Sequence, residues 1–296
     1  MIVGIFCQNS ESQTLWAKAL GTLVAQAGHT PKIGYIKKSI PGFMGTPNWA
    51  HLSQEADLVI FACDSQTLPS LLNTAALQPY NQVLVSPGLE LTSGQWVSDF
   101  ISIRSSALRI GVLTGPKSPQ DILKGLPTAF VVASEYDSVN QLAQTALHSS
   151  QCRLYSSRDR VGVELAGTMT HLFSIALGLV DQLQKGSSAR GVIIARALAE
   201  ASRLNDALKG DQNSLMGLAG VGSIVASGND NPLYQLIKSQ KQIPDHILHE
   251  LNAILHMAET HKVAMPLTQS IVKILKKELN PLLAMDALMR REATAE

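Results

Sequence analysis

An α/β domain built on a doubly wound parallel sheet, followed by an all-helical domain, is the architecture this 296-residue sequence predicts. Three observations carry it. Short β-rich apolar runs alternate with helical patterns through the first half of the chain. After about Arg158 the strand-like runs stop and only helical periodicity remains. Between the two halves lies a short polar stretch at 156–160 (SSRDR), which predicts two closely packed domains, residues 1–157 and 158–296, with a cleft between them.

Residues 2–6 (IVGIF) form a continuous apolar run, the mark of a strand buried on both faces. Ser10, followed three residues later by Gln13, offers a capping box. Leu15, Ala19, Leu20, Leu23, Val24 and Ala27 then recur at helical spacing, and Gly28 stops the helix. Further strands are expected over 33–36, 58–63, 83–86, 108–114 and 129–133. Helices are expected over 163–184, 189–208, 213–227, 245–261 and 266–275. The stretch 163–183 is apolar nearly all round, which predicts a buried central helix.

Composition removes several function classes. With 24 Lys+Arg against 23 Asp+Glu and 16% charged residues, the chain lacks the basic excess of a nucleic-acid groove or a protein held on anionic membranes. A 45% hydrophobic content supports a full core. Cys7, Cys63 and Cys152 are an odd, widely spaced set without a C-x-x-C pair, so neither a disulfide framework nor a cysteine zinc site is expected. No basic n-region opens the chain, and the apolar stretch 165–180 carries His171 and falls short of the roughly 20 residues of a membrane span. A soluble, cytoplasmic protein with no integral membrane segment is the expectation. His246, His249 and His256 share one helical arc with Glu250 nearby; the polar face of an amphipathic helix is favoured over a metal site, and no metal is assigned.

Four ordered strings carry a family resemblance: GPKSPQDILKGLPTAFVVAS from Gly115, VGVELAGTMTHLFSIALGLVDQL from Val161, SARGVIIARALAEASRL from Ser188 and MGLAGVGSIV from Met216. Together they closely resemble the bacterial NAD(P)-dependent glycerol-3-phosphate dehydrogenases. That resemblance implies a Rossmann-like domain followed by a helical substrate domain, NAD or NADP as cofactor, and a homodimer. The implied reaction interconverts sn-glycerol 3-phosphate and dihydroxyacetone phosphate.

The implied site residues are altered one after another. A dinucleotide turn needs glycines so that backbone can approach the pyrophosphate. Here Gln8, Asn9 and Ser10 stand in that turn, where their side chains would fill the pyrophosphate volume. The ribose-binding carboxylate some 20 residues on is missing. Lys37 and Lys38 follow the second strand instead, readable as a 2′-phosphate site or, the favoured reading, as a solvated basic turn. Of the two lysines the family uses, one falls at Pro87 (PGLE) and the other at Thr170 (GTMTH). The family aspartate falls at Ser223, and the arginine that clamps the substrate phosphate falls at Asp230, beside Asn231. Gly115 and Lys117 lie in the substrate-side GPK turn, and a cofactor-contacting glutamate falls at His246. His171, one residue beyond Thr170, is a candidate surrogate base because imidazole titrates in the right range. The expectation is a retained scaffold that has lost the family reaction and serves as a binding or scaffold protein. The alternative is a working NAD(P)-dependent dehydrogenase of glycerol 3-phosphate or another small alcohol, with a rebuilt site.

Overall fold

The computed structural model describes all residues except Asn9, Lys37, 91–93, Lys117, 227–230 and 285–296. Eight strands form one sheet: β1 (Ile2–Phe6), β2 (Thr30–Gly34), β3 (Met44–Thr46), β4 (Leu58–Phe61), β5 (Gln82–Val85), β6 (Arg109–Thr114), β7 (Thr128–Ala133) and β8 (Cys152–Ser157). Between them run α1 (Glu11–Gln26), α2 (Trp49–Glu55), α3 (Leu68–Ala75), α4 (Val97–Arg104), α5 (Pro119–Leu123) and α6 (Asp137–Leu147). The helical half contains α7 (Arg160–Gln182), α8 (Gly186–Ala207), α9 (Gln212–Met216), α10 (Ser223–Ala226), α11 (Pro232–Lys238), α12 (Asp245–Thr260) and α13 (Pro266–Leu275).

The sheet order is β3-β2-β1-β4-β5-β6-β7-β8, so the winding reverses between β1 and β4. Their register pairs Phe6 with Phe61, which sets the carboxyl ends of both strands side by side. The sheet is not wholly parallel: β7 runs antiparallel to β6, against an all-parallel expectation. The α/β sheet followed by helices is otherwise the expected fold, and no described residue after 165 is in a strand.

Several elements depart from the sequence reading for physical reasons. β3 and β8 are the two edges of the sheet. Neither carries a continuous apolar run; β8 alternates, burying Cys152 and Leu154 while exposing Arg153 and Tyr155. The helix expected over 213–227 is broken: Gly217 leaves helical backbone and Leu218–Gly222 winds as a π-turn before α10. α11 was not foreseen; Asn231 caps it, its Oδ1 accepting from the backbone amides of Leu233 (3.0 Å) and Tyr234 (3.1 Å), with Pro232 at its first position. Only half of the capping box at α1 forms. Ser10 Oγ accepts from Gln13 N, but the Gln13 side chain turns elsewhere.

Two apolar layers hold the sheet. On one face Val3, Ile5, Leu23, Ile60, Leu84 and Val132 pack with α1 and α6. On the other, Phe6, Phe61, Val83 and Phe100 are continuous with Leu172, Phe173, Leu204, Leu251 and Ile271 of the helical half. A single core therefore runs from the sheet into the helices, with α7 at its centre. At 23 residues α7 is long and apolar enough to cross a membrane, longer than its apolar stretch suggested. Yet 83% of its most apolar window is buried inside the fold, which makes it a core helix.

Candidate functional site where α7 meets the sheet

α7 meets the sheet where β5 and β6 end. Gly167 lies against Pro87, just past β5, and against Thr114, the last residue of β6. A Cβ on Gly167 would sit 2.3 Å from Pro87 Cγ and 2.7 Å from the Thr114 hydroxyl oxygen. Glycine is what lets the helix touch the sheet here. Gly167→Ala is expected to cost about 1–3 kcal/mol, the usual cost of overpacking a tight contact. Denaturant unfolding checks this; an unchanged midpoint would mean that the helix and sheet separate freely.

Pro87 stands where the resemblance implies one of two lysines, and it brings neither charge nor donor. The other, Thr170, is half-buried, and its hydroxyl donates back to the Ala166 carbonyl of its own helix (3.4 Å). A threonine tied in this way is no proton acceptor near neutral pH.

His171 has a partner that the sequence did not announce. Its Nδ1 lies 2.7 Å from Oε2 of Glu250 on α12. The imidazole is 40% exposed while the carboxylate is 3% exposed. Gly88 lies beside it: a Cβ there would be 3.5 Å from both Glu250 Oε1 and Ser65 Cβ, an ordinary packing distance. Four residues before Glu250, His246 is half-buried. Burial holds its pKa below the usual histidine value, against the upward pull of Asp64, with His171 lowering it further and Glu250 and Asp245 raising it. On α12, then, His249 and His256 are exposed as a polar face would be, whereas Glu250 is buried and pairs with His171.

The crevice between β1 and β4 is where a doubly wound sheet receives a dinucleotide. Gln13, only 5% exposed, occupies the α1 side of it. Its Nε2 donates to Asp64 Oδ2 and to Thr67 Oγ1, both at 3.1 Å, and its Oε1 accepts from the Gln8 backbone amide at 2.9 Å. The Gln8 side chain continues the chain of bonds to Ser70 Oγ (3.2 Å). Two features conflict with a pyrophosphate. An amide that would have cradled it is already taken, and the Asp64 carboxylate would repel it. These residues do not fit a dinucleotide. Gln13, expected from the sequence only as a capping residue, makes the bonds across this crevice together with Gln8; Ser10 is the α1 N-cap, and Asn9 lies outside the described residues.

The remaining predicted residues scatter. Ser223 Oγ donates to the Leu218 carbonyl (3.1 Å) at the end of the π-turn. Gly115 has φ +137° and packs on the backbone of β7, a geometric role. Lys38 is exposed, while Lys37, Lys117 and Asp230 lie outside the described residues. No described group of three or more His, Cys, Asp or Glu side chains is arranged to hold a metal. The thiols offer no nucleophile: burial pushes Cys7 up to about 11 and Cys152 up to about 12, and Cys63 higher still.

Comparison with known proteins places this geometry in a lineage. Residues 41–140 match the N-terminal model of NAD-dependent glycerol-3-phosphate dehydrogenase, and residues 159–286 match its C-terminal model. The N-terminal match starts beyond β1, α1 and β2. A glycerol-3-phosphate dehydrogenase [NAD(P)+] of Streptomyces coelicolor is 31% identical, covering 95% of both chains. One from Streptomyces griseus is 32% identical over 96% of this chain and 90% of its own. Among solved structures, the glycerol-3-phosphate dehydrogenase of Coxiella burnetii superposes with a TM-score of 0.87 at 21% identity, covering 98% of this chain and 99% of that one. The Plasmodium falciparum protein gives 0.82 at 16% identity, covering 99% and 96%. By full-length similarity, by both family models and by fold, this chain belongs to the NAD(P)-dependent glycerol-3-phosphate dehydrogenase family.

Proposed function

We propose that this family member keeps the two-domain scaffold, residues 1–157 and 158–296, and its cleft, but no longer carries out the family's NAD(P)-dependent interconversion. It acts instead as a binding protein for a small molecule, in the cytoplasm and as a homodimer. The observation that carries this reading is the hydrogen-bonded plug of Gln8, Gln13, Asp64 and Thr67 in the dinucleotide crevice. Pro87 and Thr170, in place of two lysines, support it from the substrate side.

Thermal unfolding with millimolar NADH or NADPH tests the reading, and no measurable rise in melting temperature is expected. A ligand present at a hundred times its dissociation constant adds about 2.7 kcal/mol, so a tightly held cofactor could not escape notice. A rise of several degrees with either nucleotide overturns it.

The pairing of His171 with buried Glu250 favours a second reading, an active dehydrogenase whose site has been rebuilt around the imidazole. Nucleotide-dependent turnover by the unmodified protein, abolished by His171→Ala, would decide for it.

A further inference from the structure

In the helical half the chain turns back at the end of α12 and leaves a groove of about 550 Å³, open to solvent. Its walls are the last turns of α12 and the connection to α13. The turn is built by backbone. Lys262 takes a left-handed φ (+57°), the Val263 amide donates to the Ala258 carbonyl at 2.8 Å, and residues 263–265 leave the helix as the second wall. Two side chains of α8 hold that wall in place. Arg203 donates to the Ala264 carbonyl at 3.0 Å, and buried Glu200 accepts from the backbone amides of Leu267 and Thr268 where α13 begins. The volume falls within the usual range of a small-molecule site, roughly 300–1,000 Å³.

The lining has two parts. Ala258 and Met265, each 1% exposed, join half-buried Leu255 and Val263 as its apolar part. Glu259 and Lys262 add one charge of each sign. They are three residues apart, where opposite charges on a continuing helix would pair. The left-handed turn at Lys262 separates them, and neither side chain has an ionic or hydrogen-bonded partner among the described residues.

We infer that this groove is a binding site for a free α-amino acid with an aliphatic side chain. The class follows from the lining. An ammonium group meets Glu259 and the partial negative charge at the carboxyl end of α12, a carboxylate meets Lys262, and the aliphatic chain covers Leu255, Val263 and Met265. A phosphate ester matches less well, because its negative charges would face Glu259 with one lysine to offset them. An uncharged hydrocarbon would leave both ions unpaired beside apolar surface. A metal ion lacks ligands, since no described group of three His, Cys, Asp or Glu side chains converges here. His256 and Gln269 complete the lining with groups that both donate and accept hydrogen bonds. None of these residues belongs to the plugged dinucleotide crevice or to the His171–Glu250 pair, so the inference stands whether or not a nucleotide binds.

A ligand-observed NMR titration of the full-length protein with L-leucine tests it. Saturable binding is expected. The analogues 4-methylpentanoate, without the ammonium group, and 3-methylbutylamine, without the carboxylate, should each bind at least about fivefold more weakly. Glycine, which has no apolar chain to bury, should bind more weakly still. Lys262→Gln is expected to weaken leucine binding by about the same factor and to leave 3-methylbutylamine unaffected. Glu259→Gln is expected to weaken leucine binding without weakening that of 4-methylpentanoate. Both side chains are exposed, so both variants should keep the parent's melting temperature. Leucine binding that does not saturate, or that is indifferent to both substitutions, overturns the inference. Either analogue binding as tightly as leucine overturns it as well.

Discussion

Thr170→Lys is expected to leave NADH consumption with dihydroxyacetone phosphate at the level of the buffer blank, as in the unmodified protein. The substitution restores one charged group at the place where the family resemblance puts a lysine. General acid–base help of this kind is worth about 10²–10⁴-fold, but only when the other partners are present, because groups acting as one unit are strongly non-additive. They are not present here. Pro87 packs on Gly167 where the second lysine is implied, and it can neither donate nor carry charge. Gln13 bonds to Asp64 and Thr67 across the crevice that the nucleotide would enter. The resemblance also sets Asp230, a carboxylate, where an arginine would hold the substrate phosphate. Continuous absorbance measurement with NADH in large excess over protein decides the matter. Robust turnover by the single variant would mean that the crevice opens to nucleotide and that only the lysine was lacking.

How far the sequence could be read follows from the kind of signal each feature leaves. β1 and α13 were legible to the residue: one is a run buried on both faces, the other an apolar stripe bounded by Pro266. Edge strands leave no such run, so β3 and β8 were invisible, and a glycine-rich string that looked helical hid a π-turn. Pro87 and Thr170 stand out, where the resemblance implies lysines, because they sit inside strings otherwise like the family's. Glu250 was not. It lies 79 residues from His171, on a helix whose periodicity advertises only an amphipathic surface element. Contacts made by tertiary folding carry no local pattern. Gln13 had a local pattern, the capping box, and the structure uses its backbone amide there while its side chain bridges to the loop after β4.

Glu164 is expected to give this fold a distinctive pH dependence. It stands on the first turns of α7, fully buried, and its carboxylate accepts from the backbone amide and hydroxyl of Ser98 on α4. Arg160, one turn earlier, reaches it at 3.2 Å and also pairs with Asp99 and, at 3.5 Å, with Glu135. Burial pushes the Glu164 carboxyl up to about 7, against the lowering effects of Ser98 and Arg160, with Asp99 adding to the rise. Burial also opposes the Arg160 charge, but Asp99, Glu164 and Glu135 together keep its pKa above the usual value. The folded state thus holds the Glu164 proton more tightly than the unfolded chain, whose carboxyl keeps its ordinary value near 4.5. Below that value both states are protonated and the stabilising contribution is complete. As pH rises toward 7 the unfolded chain ionises first, so stability is lost progressively, by roughly 3 kcal/mol in total at 1.36 kcal/mol per unit. Above 7 the loss is complete and the slope from this group vanishes. Glu164→Gln cannot titrate, so its unfolding free energy should lack this fall between pH 4.5 and 7. Parallel urea titrations of both proteins across that window measure the difference. Identical slopes would show that Arg160 keeps Glu164 ionised throughout, and that the junction of α7 with α4 is held by a permanent buried ion pair.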